Sequence, residues 1–142
     1  MRKRLLTPLI TILVLSTTTS PARASETPQE RRRCDRAIQL ARQVGWPVKD
    51  LKTLRYILWR ESRCQPDSIG RNRNTLGVVT SQDLGYSQIN DASWVRYLRD
   101  KGLIDTRDDL LNPRTNLKAA LLLAEYSENR GLPRFYQWRT GN

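Results

Sequence analysis

A chain of 142 residues with 25 lysines and arginines against 14 acids carries a formal charge of +11, and it holds two cysteines and no histidine. The missing histidine excludes Ser-His-Asp and Cys-His nucleophile systems. With no histidine and no thiol left over from a single disulfide, no zinc site or other metal is expected. Carboxylates remain as the groups for proton transfer near neutral pH, with Tyr, Lys and Arg in support. The basic excess suits a polyanionic partner (cell-wall polymer, nucleic acid or membrane surface) or serves solubility alone, and charge does not separate these.

The chain opens with Arg2, Lys3 and Arg4, an apolar run from Leu5 to Leu15, and the small-residue triplet Ala22-Arg23-Ala24. This is the pattern of a secretory signal peptide spanning 1–24. A retained signal anchor is the alternative, but Pro8 interrupts the run, which is far short of the roughly 20 residues a span needs. Cleavage leaves Ser25–Asn142 as one small exported domain with a single core, soluble and without stable membrane insertion. In that compartment Cys34 and Cys64 most simply form one disulfide.

Thr27-Pro28-Gln29-Glu30 predicts a helix start with a capping box, and the helix runs to Val44 with Gly45 at its end. The Arg31-Arg32-Arg33 run is a solvated face or a wall contact. Asp50 is expected to cap a second helix, Leu51 to about Ser62. Pro66 to Gln82 is polar, with Leu76 to Thr80 as a short hairpin strand, and Asp83-Leu84-Gly85 reads as a turn. Asp91 or Ser93 is expected to cap a helix carrying Trp94, Val95, Tyr97 and Leu98. Thr106 can cap one turn over Arg107 to Leu111. Asn112-Pro113 then opens the longest apolar helix, the natural core element, closed by Gly131. Phe135-Tyr136-Gln137-Trp138 is a short aromatic element that should pack. The domain is mainly helical with at most a short β-hairpin.

Within the second helix, Leu51, Leu54, Ile57 and Leu58 share one arc at about 100° per residue. Glu61 falls on that arc, while Lys52, Tyr56, Trp59 and Arg60 point elsewhere. A helix C-terminus and apolar neighbours both disfavour a negative charge there, which suits a proton donor near neutral pH. The alternative is an edge glutamate reaching solvent or pairing with Arg63. Cys64 follows, so a bond to Cys34 would hold the backbone beside Glu61.

Glu61-Ser62, Asn72-Arg73-Asn74-Thr75 and Asp83-x-Gly85-x-x-Gln88-Ile89-Asn90 resemble the lysozyme-like superfamily. The last run is similar to that of animal C-type lysozymes and of exported bacterial lytic transglycosylases. Trp94, Asp109-Leu110-Leu111-Asn112-Pro113 and Asn116 look like the bacterial group, and the resemblance covers about Leu51 to Glu125. It implies a lysozyme-like α+β domain that cleaves the β-1,4 bond between N-acetylmuramic acid and N-acetylglucosamine in peptidoglycan. It implies Glu61 as the acid, which in a lytic transglycosylase then takes the muramyl 6-hydroxyl proton to close a 1,6-anhydro end.

In a hydrolase a second carboxylate assists instead, and Asp83 is either that group or an organiser of its loop. Gln88 and Asn90 match positions that line the saccharide groove or hold its backbone. Ser87, which stands where a methionine is usual, and Tyr136, in place of a missing Ala-Tyr-Asn motif, complete the expected substrate-binding set. No cofactor is implied, and a monomer is expected. A wall-binding module on the same fold is the alternative from another class. Nucleic-acid binding rests on charge alone, without a supporting motif.

Overall fold

The computed structural model describes residues 25–139, and the expected signal peptide lies outside them. Helix α1 (Pro28–Gln43) starts as its sequence predicts: the Thr27 hydroxyl accepts from the Glu30 N–H (3.2 Å) and the Thr27 N–H donates back to the Glu30 carboxylate (2.8 Å). That backbone N–H is the main cause holding the Glu30 carboxyl below the usual range. Helix α2 (Leu51–Ser62) buries Leu51, Leu54, Ile57 and Leu58 on the expected stripe.

Asp50 does not cap α2. It belongs to a preceding 3₁₀ turn, Val48–Asp50, with helical backbone angles and no capping hydrogen bond. Its carboxylate is buried and pairs with Arg134 Nε at 2.7 Å. A distant cation thus replaces the local cap, and the pair ties the start of α2 to the C-terminal segment. Cys34 and Cys64 are bonded, with Cα atoms 5.1 Å apart. The bridge joins α1 to the end of α2, where Arg63 and Cys64 both take left-handed backbone angles (φ 53° and 56°).

The sheet has three antiparallel strands in the order β1 (Ile69–Arg73), β2 (Val79–Leu84) and β3 (Ile89–Asn90). Two boundaries differ from expectation. Leu76, Gly77 and Val78 form the hairpin tip rather than a strand, because Asn74 closes the turn: its N–H donates to the Val78 carbonyl at 2.9 Å. Asp83 and Leu84 are still paired, with Asn90 and Ile89, so the turn begins only at Gly85. Helix α3 (Asp91–Asp100) is capped by Asn90, whose Oδ1 accepts from the Ser93 N–H at 3.1 Å, and not by Asp91 or Ser93. Asp91 is drawn instead to the Gln82 N–H at 2.8 Å.

Thr106 and Asp109 cap the 3₁₀ turn Arg107–Leu111, as expected of Thr106. Helix α4 (Pro113–Asn129) is the longest and lies at the centre, burying Leu117, Ala120, Leu123 and Ala124. Helix α1 packs against α4, and Trp46, just beyond α1, donates from Nε1 to the Leu117 carbonyl at 2.9 Å.

Asn116, fully buried on α4, joins the two halves. Its Nδ2 donates to the carbonyls of Leu84 and Leu110, each at 2.8 Å. Its Oδ1 accepts from the Ser87 N–H (3.0 Å) and hydroxyl (2.7 Å). All four hydrogen-bonding positions of the amide are used. Gly85 is required for this approach: its φ is +74°, and a Cβ there would collide with the Asn116 amide and the Leu110 carbonyl.

Two stability effects are expected. Cys34→Ser with Cys64→Ser should lower unfolding free energy by about 3 kcal/mol in denaturant titration. Asn116→Ala strips partners from several buried backbone groups at about 1–3 kcal/mol each. Its melting transition should fall further than that of the double cysteine variant, and a near-native transition would contradict the role given to the amide.

Candidate active site

The end of α2 meets the Gly85–Gln88 loop through Ser62. This residue is buried, and its hydroxyl donates to the Tyr86 carbonyl at 2.7 Å. From the far side Trp138 donates from Nε1 to the Ser87 carbonyl at 2.8 Å. With Asn116 beneath, the loop is held from three elements, and its rigidity fixes one wall of a cleft of about 370 Å³. Glu61, Asp83, Gln88 and Asn90 all line this cleft, with Arg60, Ile89, Trp94, Leu123, Gln137, Trp138 and Arg139. Residues far apart in the chain therefore converge on the space beside Glu61.

Glu61 is not the isolated carboxylate at the end of an apolar stripe that its position suggested. Its side chain keeps 26% exposure, and Arg60 turns back to it instead of pointing elsewhere. Arg60 Nε donates to Glu61 Oε1 at 3.0 Å, and Arg60 Nη2 contacts the same oxygen and the Trp138 carbonyl. The partner is Arg60 and not Arg63, the partner in the alternative reading, whose guanidinium stacks on Trp59 at 4.2 Å. Among the described residues the contacts of Glu61 all fall on Oε1. Oε2 is the oxygen left for a ligand in the cleft.

Asp83 is differently engaged. Its Oδ2 accepts from Asn72 Nδ2 (3.0 Å) and its Oδ1 from Asn90 Nδ2 (2.8 Å), so the carboxylate bridges β1 to the start of α3. Gln88 takes φ 49° and spends its amide N–H groups on the carbonyls of Ser68 (3.1 Å) and Gly85 (2.8 Å). Gly70 leaves room for that amide, since a Cβ there would come to 2.9 Å from Gln88 Oε1. Asn90 serves Asp83, Ser81 and the α3 cap at once. Each of these polar residues lines the cleft while its side chain braces the backbone behind it.

Two expected substrate contacts lie elsewhere. Ser87 has no exposed surface, and its hydroxyl is turned inward to Asn116. A small hydroxyl in place of a long methionine can be absorbed by the loop's own hydrogen bonds. Tyr136 is exposed but does not line the cleft, because the turn Tyr136–Trp138 directs Trp138 inward in its place. Sequence reasoning missed Arg60, Gln137, Trp138 and Arg139 as cleft residues. Helical periodicity places Arg60 on another face, and the C-terminal residues carry no local signal for packing beside α2. The aromatic composition of 135–138 indicated packing but not where.

The profile of the transglycosylase SLT domain family matches residues 47–132, well over half of the chain. No curated protein and no solved structure matches the chain. The matched segment runs from the turn before α2 to just beyond α4 and so contains Glu61, the Gly85–Gln88 loop and Asn116. The chain belongs to the transglycosylase SLT domain family, with a lytic-transglycosylase-type action on peptidoglycan.

Proposed function

We propose that this protein cleaves the β-1,4 bond between N-acetylmuramic acid and N-acetylglucosamine, with Glu61 as the single catalytic carboxylate. The observation that carries this reading is the contrast between the two cleft carboxylates. Asp83 is engaged at both oxygens by asparagine amides, whereas the contacts of Glu61 leave Oε2 for a substrate. In the first step the Glu61 carboxyl gives its proton to the glycosidic oxygen as the C1–O bond breaks, and positive charge develops at the muramyl C1. In the second step the muramyl 6-hydroxyl oxygen bonds to C1 and its proton passes to the Glu61 carboxylate. The product is a 1,6-anhydro end, no water is consumed, and Glu61 is restored to its starting state.

Arg60 suits this cycle as the residue that holds Glu61 in place. Its guanidinium joins the carboxylate to the Trp138 carbonyl and so fixes both walls of the cleft around the acid. Gln88 and Asn90 shape the groove that receives the glycan. The substrate lies outside the cytoplasm, which accords with export directed by a signal peptide at 1–24. None of the described helices is long and apolar enough to cross a membrane. The protein works as a monomer without a cofactor.

Glu61→Gln preserves the shape of the side chain and removes its proton. Release of muropeptides from purified sacculi should fall by at least about 10²-fold, the lower range for a general acid, and release equal to wild type would refute the assignment. Mass spectrometry of the wild-type products should show species one water lighter than reducing-end muropeptides; reducing ends alone would make the enzyme a hydrolase. Asp83→Asn separates the same two chemistries. As an organiser, Asp83 should give a variant with a lower melting temperature and weakened but measurable activity, whereas a catalytic nucleophile would give activity as low as that of Glu61→Gln.

A further inference from the structure

The hairpin joining β1 and β2 stands out from the body, and every residue from Arg71 to Thr80 is exposed. Its turn is closely bonded. Asn74 N–H donates to the Val78 carbonyl and Gly77 N–H to the Asn74 carbonyl, each at 2.9 Å. Asn74 Oδ1 accepts from the N–H groups of Leu76 and Val78, each at 3.0 Å, and Arg73 Nη1 donates to the Gly77 carbonyl at 2.7 Å. The tip therefore satisfies much of its own backbone and presents apolar side chains to water: Leu76 is 85% exposed and Val78 57%.

A single exposed apolar residue needs no explanation, but here Leu76 and Val78 lie on the turn, where polar residues are the rule, with Val79 beside them at the start of β2. The strand leading to them carries exposed Arg71 and Arg73, and no acid occurs between Asp67 and Asp83. Alternation along β1 places these arginines on the face opposite Asn72, whose amide is turned to Asp83. The hairpin thus has a polar face toward the cleft and a basic face opposite it, and the two meet at an exposed apolar tip.

We propose that this tip docks reversibly on an anionic lipid surface. Leu76 and Val78 enter the interfacial region, and Arg71 and Arg73 meet headgroup phosphates. Three features favour lipid over a protein partner. Backbone polar groups satisfied within the turn are what an apolar medium demands and water does not. The tip is convex and narrow, whereas a stable protein interface takes about 800 Å² per partner. The paired arginines supply the charge complementarity. Docking of this kind is peripheral, engages none of the residues that line the cleft, and is independent of the chemistry proposed for Glu61.

The test is co-sedimentation of the protein from the exported fraction with vesicles of phosphatidylcholine alone or mixed with phosphatidylglycerol. Intact mass reads its N-terminus; where residues 1–24 persist they are common to all variants, so the comparison still isolates the tip. Wild type should pellet with the anionic vesicles, less so as salt rises. Leu76→Asn with Val78→Asn should weaken binding by about tenfold or more, and Arg71→Gln with Arg73→Gln by about tenfold. Leu76→Met keeps the apolar surface and should keep the binding. The proposal is overturned by no pelleting with anionic vesicles, by binding unchanged in the Leu76/Val78 variant, or by loss of binding in Leu76→Met. Capture by soluble polyphosphate that is indifferent to Leu76 would also overturn it and reassign the arginines to polyanion binding.

Discussion

The carboxamide of Asn116 is the constraint from which the site follows. It is buried on the central helix, where an unpaired amide would be costly, and it meets that demand with the carbonyls of Leu84 and Leu110 and with both donors of Ser87. The loop that turns from β2 to β3 is therefore tied directly to α4. Gly85 is part of the same constraint, since any side chain at this position would occupy the space the amide needs. The Gly85-to-Asn90 run and Asn116, far apart in the chain, are two sides of one contact.

The rigidity of that loop is passed to the proposed catalytic residue through its neighbour. Ser62 binds the Tyr86 carbonyl, so the last turn of α2 is aligned against the loop directly beside Glu61. The disulfide acts on the same turn from the other side by anchoring Cys64 to α1. Arg60 and Trp138 then close the arrangement: Trp138 holds the loop through its indole N–H and holds Arg60 through its carbonyl. A carboxylate at the end of a helix, normally free to change rotamer in solvent, is kept in one place by a chain of contacts running through all these elements. Preorganisation of this kind is what a proton transfer in a cleft requires.

Much of the fold was legible locally. The capping box at Thr27, the stripe on α2, the Thr106 cap and the long apolar helix after Asn112-Pro113 each depend on residues within a few positions of one another. Where local reading failed, a more distant partner had taken the residue. Asp50 looks like a cap but is drawn to Arg134, and Asp91 looks like a cap but serves Gln82, leaving that role to Asn90. Ser87 and Tyr136 stood where family position suggested substrate contacts. One is absorbed by Asn116, and the other is turned away by the twist that buries Trp138.

The amino-acid sequence by itself determined the helical character, the lone disulfide, the absence of histidine chemistry and the glutamate at the end of a buried stripe. Periodicity, capping and composition are properties of neighbouring residues and need no folded context to be read. Only the tertiary structure decided which groups surround that glutamate. The contact between Arg60 and the Trp138 carbonyl spans 78 positions, and the one between Ser87 and Asn116 spans 29. Such pairings arise from the packing of α2, α4 and the C-terminal turn into one core, and no local pattern encodes them. The same holds for Asp83, whose two asparagine partners come together only once β1 and the start of α3 flank it.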